Sequence, residues 1–212
     1  MNKNQMERRT VGLTELRVSR AQPEEGTETS TPIIEGHAAV FNQWSENLGG
    51  MFPFKEKVIP GAFKDSINVD DVRALFNHDP NYVLGRNKAS TLELKETQKG
   101  LLVRITPPDI QWARDLTVSI DRGDITQMSF GFLVEEDKWG SEDGMDIREL
   151  HKVKLFDVSP VTFPAYSQTS VGIRSMTEVY EERKTQLADT EMTKKRKVQQ
   201  ELQLLETKFK LL

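Results

Sequence analysis

Three side chains able to take part in acyl transfer stand out by their settings: Ser129, His78 and Asp157. In the run Gln127-Met128-Ser129-Phe130-Gly131-Phe132-Leu133-Val134, strand alternation puts Met128, Phe130, Phe132 and Val134 on one apolar face and turns Ser129 to the other. Gly131 shares the Ser129 face, and a glycine beside a hydroxyl leaves room for a substrate backbone. His78 stands where DVRALFN (71–77) meets Asp79-Pro80, and strand ends are where site residues often emerge. Its imidazole could take a proton from a serine hydroxyl. Asp157, within Leu155-Phe156-Asp157-Val158, is a carboxylate among apolar neighbours and needs a partner. An imidazole N–H would serve, as would Lys152 or Lys154. Glu149 and His151 share its strand parity, so either could take the orienting place instead. His37 follows a glycine within an apparent strand and reads as structural.

A hydroxyl nucleophile, a base and an orienting acid together make one mechanism, that of a serine hydrolase. The chain order is His, Ser, acid, which matches neither the trypsin-like nor the subtilisin-like order, and no G-x-S-x-G elbow is present. The residues by themselves go as far as a serine hydrolase candidate on a β scaffold.

Composition narrows the alternatives. The chain has 212 residues, no cysteine, 36% hydrophobic and 29% charged residues, and a formal net charge of −4. Without cysteine there is no disulfide scaffold, thiol nucleophile or cysteine-ligated zinc. Three histidines and no H-E-x-x-H give little basis for a metal site, so no metal or cofactor is expected. The mildly acidic balance speaks against nucleic acid as the main partner. No window approaches a membrane-spanning apolar run and MNKNQMERR has no signal-peptide core; the chain reads as soluble and non-exported.

The elements that must carry these side chains are mostly strands. Residues 1–10 are polar and read as frayed, 11–20 as a first or edge strand, and 21–32 as a loop. IIEGHAAVF (33–41) reads as a strand and 42–57 as a long loop with a few apolar anchors. A short helix is expected after Pro60. DVRALFN is a strand that Pro80 should stop. TLELKE (91–96) and LLVRITP (101–107) form a hairpin around Thr97–Gly100. Trp112, Leu116 and Ile120 recur at helical spacing, with Gly123 placed to end the helix. Residues 126–135 and 151–163 return to period two. The sum is an α+β, mostly β chain: a mostly antiparallel barrel with peripheral helices. In the tail, Val198, Leu202, Leu205, Phe209 and Leu212 are spaced four, three, four and three apart, a short heptad seam fit for a packed terminal helix or an assembly helix.

The strings PFKEKVIPGAF (53–63), LFNHDPNYVLGR (75–86), KGLLVRI (99–105), IDRGDITQMSFGF (120–132) and FDVSPVTFPAYSQTSVGIR (156–174) resemble the prohead protease family of tailed bacteriophages. The family is similar in fold to the herpesvirus assemblins, which implies a closed barrel of about seven strands. The resemblance covers residues 33–174 as the protease barrel, which leaves 1–32 as an N-terminal extension with an edge strand and 175–212 as a charged amphipathic helix. The implied activity is that of a serine endopeptidase acting inside the assembling procapsid in the host cytoplasm. Its expected substrates are scaffolding protein or a scaffold-like segment of the major capsid protein, with self-cleavage; neither membrane nor direct nucleic-acid binding is implied. The resemblance maps nucleophile, base and orienter onto Ser129, His78 and Asp157. Some relatives carry Glu where this chain has Asp157, which keeps Glu149 as the alternative. The oxyanion loop maps onto Ala165–Arg174, with Arg174 a candidate contributor. The competing expectation is an inactive scaffolding protein that works through its C-terminal helix.

Overall fold

The computed structural model describes residues 6–11, 15–20, 31–48 and 53–163, together with helical positions at 184–185, 192–193, 195–197 and 199–201. The heptad-seam residues lie outside the described residues, as do residues 164–174 with Arg174.

Among the described residues up to 163, ten strands and two α-helices follow in chain order: β1 (Glu7–Val11), β2 (Arg17–Arg20), β3 (Pro32–Val40), β4 (Phe54–Val58), α1 (Ser66–Val69), β5 (Arg73–Phe76), β6 (Asp79–Arg86), β7 (Leu92–Glu96), β8 (Gly100–Ile105), α2 (Gln111–Asp121), β9 (Gln127–Glu142) and β10 (Met145–Val161). They build two sheets. One runs β1-β9-β10-β5-β6 with β4 also on β10, and the other runs β2-β3-β8-β7. The expected closed barrel is therefore corrected: among the described residues no sheet closes on itself. β1 and β6 end the larger sheet, β2 and β7 the smaller one. The mostly β reading stands. The antiparallel bias has two exceptions, since β10 pairs in parallel with both β4 and β5.

One apolar core fills the space between the sheets. Ile34, Leu101, Val103 and Ile105 of the smaller sheet meet Met128, Phe130, Phe132 and Val158 of the larger one. The stripe read from alternation on β9 is thus buried: Met128 and Phe132 are fully covered, and Phe130 stacks on Phe132 with ring centroids 4.8 Å apart. α2 buries Ala113, Leu116 and Ile120 and is followed by Gly123 at φ +80°, the left-handed conformation that glycine takes without steric cost.

β10 is the spine that positions the site. Along one edge it pairs with β9 from Met145–Glu142 to Val161–Gln127. Along the other it takes β4 near the β9–β10 turn and β5 at Asp157 and Val158. Strands β9, β10 and β5 therefore lie side by side where Ser129, Asp157 and the turn after Phe76 fall.

Candidate active site

Ser129 sits on β9, whose cross-strand neighbour on β10 is Ser159, and Gly131 is opposite Asp157. Cross-strand partners share a face of a sheet, so the serine and the carboxylate point the same way. His78 arrives from a different device. Phe76 and Asp79 pair across a two-residue turn, Asn77-His78, with φ of +53° and +57°. Two successive left-handed residues define a type I′ hairpin turn. A histidine there costs about 1 kcal/mol or more, so neighbouring contacts must hold it. Asn77 does so: its N–H donates to the Pro160 carbonyl at 3.0 Å, its Oδ1 accepts from the Thr162 N–H at 2.9 Å, and its Nδ2 donates to Thr162 Oγ1 at 3.2 Å. The turn is stapled to the end of β10.

The three side chains meet. His78 Nε2 lies 2.7 Å from Ser129 Oγ, and His78 Nδ1 lies 2.5 Å from Asp157 Oδ1 and 3.1 Å from Oδ2. Ser159 Oγ donates to Asp157 Oδ1 at 3.1 Å. An imidazole bridged in this way has one nitrogen on a hydroxyl and the other on a carboxylate, the arrangement that lets a histidine take a hydroxyl proton while its tautomer is held.

Gly131 has a different role from the one expected. A β-carbon built there would stand 2.3 Å from Asp157 Oδ2. The room it leaves is filled by the carboxylate, not by substrate. Asp157 can lie across β9 toward His78 because position 131 has no side chain.

The alternatives go elsewhere. Glu149 pairs with Lys57 at 2.9 Å and accepts from His151 at 3.2 Å, opposite Lys138 and eight residues along β10 from Asp157. β10 has three register shifts between Leu150 and Asp157, and what removes Glu149 from the site is its distance along the strand. The lysine partners weighed for Asp157 are also engaged: Lys152 with Asp65 and Glu135, and Lys154 over the Phe156 ring. His37 is mostly buried, 4.0 Å from Glu15; burial, with help from Lys99, holds its pKa below the ordinary value. Asn77, Ser159 and the close approach at Gly131 escaped the sequence reading. Only Asn77 carried a signal, as an Asn where a hairpin turn needs positive φ.

Among the described residues no group of His, Asp and Glu is arranged to hold a metal ion, and no helix is long and apolar enough to cross a membrane.

A family model described as caudovirus prohead serine protease matches residues 16–184, well over half of the chain. The chain belongs to that family. It is a serine protease of phage capsid maturation. The solved structure of the bacteriophage T4 capsid assembly protease is similar at 16% sequence identity and a TM-score of 0.49, over 76% of this chain and 98% of that one. No curated protein matches. The matched span of the prohead protease includes His78, Ser129 and Asp157, and it begins beyond β1.

Proposed function

We propose that this prohead protease cleaves scaffolding protein, or a scaffold-like segment of the major capsid protein, inside the assembling procapsid, and that it also cuts itself. Ser129 is the nucleophile, His78 the general base and Asp157 the orienter. His78 Nε2 takes the hydroxyl proton as Ser129 Oγ attacks the peptide carbonyl carbon, then returns a proton to the leaving amine. Asp157 keeps the other imidazole nitrogen protonated and balances the charge that the imidazolium acquires. Ser159 and Gly131 are positioning residues for Asp157, and Asn77 is one for His78.

The observation that supports this reading best is the continuous contact Ser129 Oγ–His78 Nε2–His78 Nδ1–Asp157, with separations of 2.7 and 2.5 Å. The test is co-expression with the phage's capsid and scaffolding proteins, followed by mass spectrometry of the products. Wild type should yield new termini in the capsid or scaffold chain and in itself. Ser129→Ala should yield none, a rate loss of at least about 10⁴-fold, while keeping the wild-type melting temperature within a few degrees. Processing by Ser129→Ala at near wild-type rate would overturn the assignment.

A further inference from the structure

Ser129 has a second partner that the mechanism does not use. Its hydroxyl donates to the backbone carbonyl of Arg9 at 2.8 Å. Arg9 belongs to β1, which runs antiparallel along the edge of β9 with Arg9 opposite Phe130, Thr10 opposite Ser129 and Val11 opposite Met128. Among the described residues β1 has no strand on its outer side. Its place beside β9 is the one an extended peptide would take by strand addition. Ser129 is 0% exposed and the side chains of His78 and Asp157 are 7% and 8% exposed. β1 is one of the elements that close around the hydroxyl, through the Arg9 carbonyl and the pairing of Thr10 with Ser129.

β1 is seated but not poised for cleavage. Attack needs Oγ against a carbonyl carbon, with the oxygen turned away toward donors; Arg9 turns its oxygen to the hydroxyl. A serine hydroxyl has one proton to give. While that proton lies on the Arg9 carbonyl, His78 Nε2 is not accepting it, and base catalysis cannot begin.

The anchor of β1 is ionic and can be exchanged. Glu7 and Arg9 enter a buried cluster with Glu56 of β4, Asp137 of β9 and Arg148 of β10. Arg9 pairs with Glu7 and, at 2.7 Å, with Glu56; Arg148 reaches Glu7 at 3.1 Å, Glu56 at 3.0 Å and Asp137 at 2.8 Å. Withdrawing β1 removes one carboxylate and one guanidinium together. Arg148 keeps both Glu56 and Asp137, so the net charge of the cluster does not change. A strand fastened mainly by apolar burial would leave a hole behind; this one leaves Arg148 still paired with Glu56 and Asp137.

We propose that β1 is an internal occupant of the substrate's place: the β9 edge at Met128–Phe132 accepts either Glu7–Val11 or an extended peptide segment of the substrate, and displacement of Glu7–Val11 opens Ser129. The proposal rests on the reading of Ser129 as nucleophile. A substrate segment with an acidic residue two positions before a basic one would re-form the pairs that Glu7 and Arg9 make.

The test uses the full chain and a fluorophosphonate probe that labels a nucleophilic serine. The chain has no cysteine, so the double variant Val11→Cys/Met128→Cys, on directly opposed residues, introduces one reversible lock. Label should enter the oxidised form at least about tenfold more slowly than the same protein reduced, because the open fraction sets the apparent rate. Glu7→Gln/Arg9→Gln should be labelled about tenfold faster than wild type. In labelled wild type, the amides of residues 7–11 should exchange faster than before labelling. Equal rates for the oxidised and reduced forms would overturn the internal occupant. Label that persists in Ser129→Ala would instead overturn the nucleophile, which separates the two failures.

Discussion

Two buried polar clusters share strands β9 and β10 of the prohead protease, and they behave as opposites. At one end Ser129, His78 and Asp157 form a row in which a single proton has more than one place to go. Farther along, Glu7, Arg9, Glu56, Asp137 and Arg148 form a knot of fixed charges. There the Arg148 guanidinium stays charged at any accessible pH: burial would lower its pKa, but Glu7, Glu56 and Asp137 outweigh that and raise it. The first cluster sets a neutral hydroxyl against an imidazole nitrogen at 2.7 Å, so it can move a proton. The second has no such member and can only hold strands together. Burial is common to both; what separates chemistry from structure is whether a proton can change places at neutral pH.

That contrast can be broken from either side. The largest effects should fall within the row: Asp157→Asn should lower kcat/KM on a peptide substrate by about 10³–10⁴-fold, because the amide no longer enforces the tautomer that leaves Nε2 free to accept. Glu149→Gln, outside the row, should change the rate by less than about twofold. A greater loss at Glu149 would move the orienting role there. His78→Ala should be at least as damaging as Asp157→Asn.

Arg148→Ala should act on stability. It leaves Glu7, Glu56 and Asp137 with Arg9 as the remaining guanidinium of the cluster, and removing one partner of a buried ionic group costs about 3–5 kcal/mol. Denaturant unfolding of the purified protein would measure that loss. A variant that unfolds at the wild-type midpoint would show that the cluster contributes little. Gly131→Ala tests the contact behind the first cluster. Its new methyl group meets the end of the Asp157 side chain, and that carboxylate must give way. A displacement of this kind near a reacting group costs up to about 10²-fold in rate. Most of it should fall on kcat, with a smaller change in melting temperature.

The same contrast governs what the sequence disclosed. β3, β7, β8, the inner half of β9 and helix α2 were legible because their buried positions are apolar and recur at the period of the element. From sequence, β1 and β4 read as frayed end and loop. Their buried faces carry Glu7 and Glu56, charges satisfied only by residues far away in the chain. The outer part of the β9–β10 hairpin was missed for the same reason: Asp137 and Arg148 pair across it, and its turn is Asp143-Gly144, both at positive φ. Pro80 did not stop a strand because β6 is at the sheet edge, where a missing N–H is tolerated. The barrel expectation failed on topology. Reading hairpins between neighbours in sequence cannot anticipate β10 pairing in parallel with β4 and β5. In the site, residue type and resemblance singled out His78, Ser129 and Asp157. Strand parity does not separate Asp157 from Glu149; their eight-residue distance along β10 does, and it is Asp157 that the Asn77-His78 turn reaches.

The smallest expected effect is a pH dependence confined to the fixed-charge cluster. Burial raises the Glu7 carboxyl, and the Arg9 and Arg148 guanidiniums outweigh it, holding Glu7 below its ordinary value of 4.5. Glu56 and Asp137 are the other charged groups of that cluster, packed from β4 and β9. A carboxyl depressed on folding contributes stability that is fully present above its unfolded value and is lost as pH falls through the folded one. Docking of β1 should therefore not vary between pH 8 and about 5 on account of Glu7, and should weaken only below that range. Amide exchange of residues 7–11, corrected for intrinsic rate, would show constant protection down to about pH 5 and a decline beyond it. In Glu7→Gln the decline should be shallower and the protection lower at every pH. A wild-type protein whose β1 loosens between pH 8 and 6 would place the responsible group elsewhere, because a carboxylate held below its ordinary value has no proton to gain in that window.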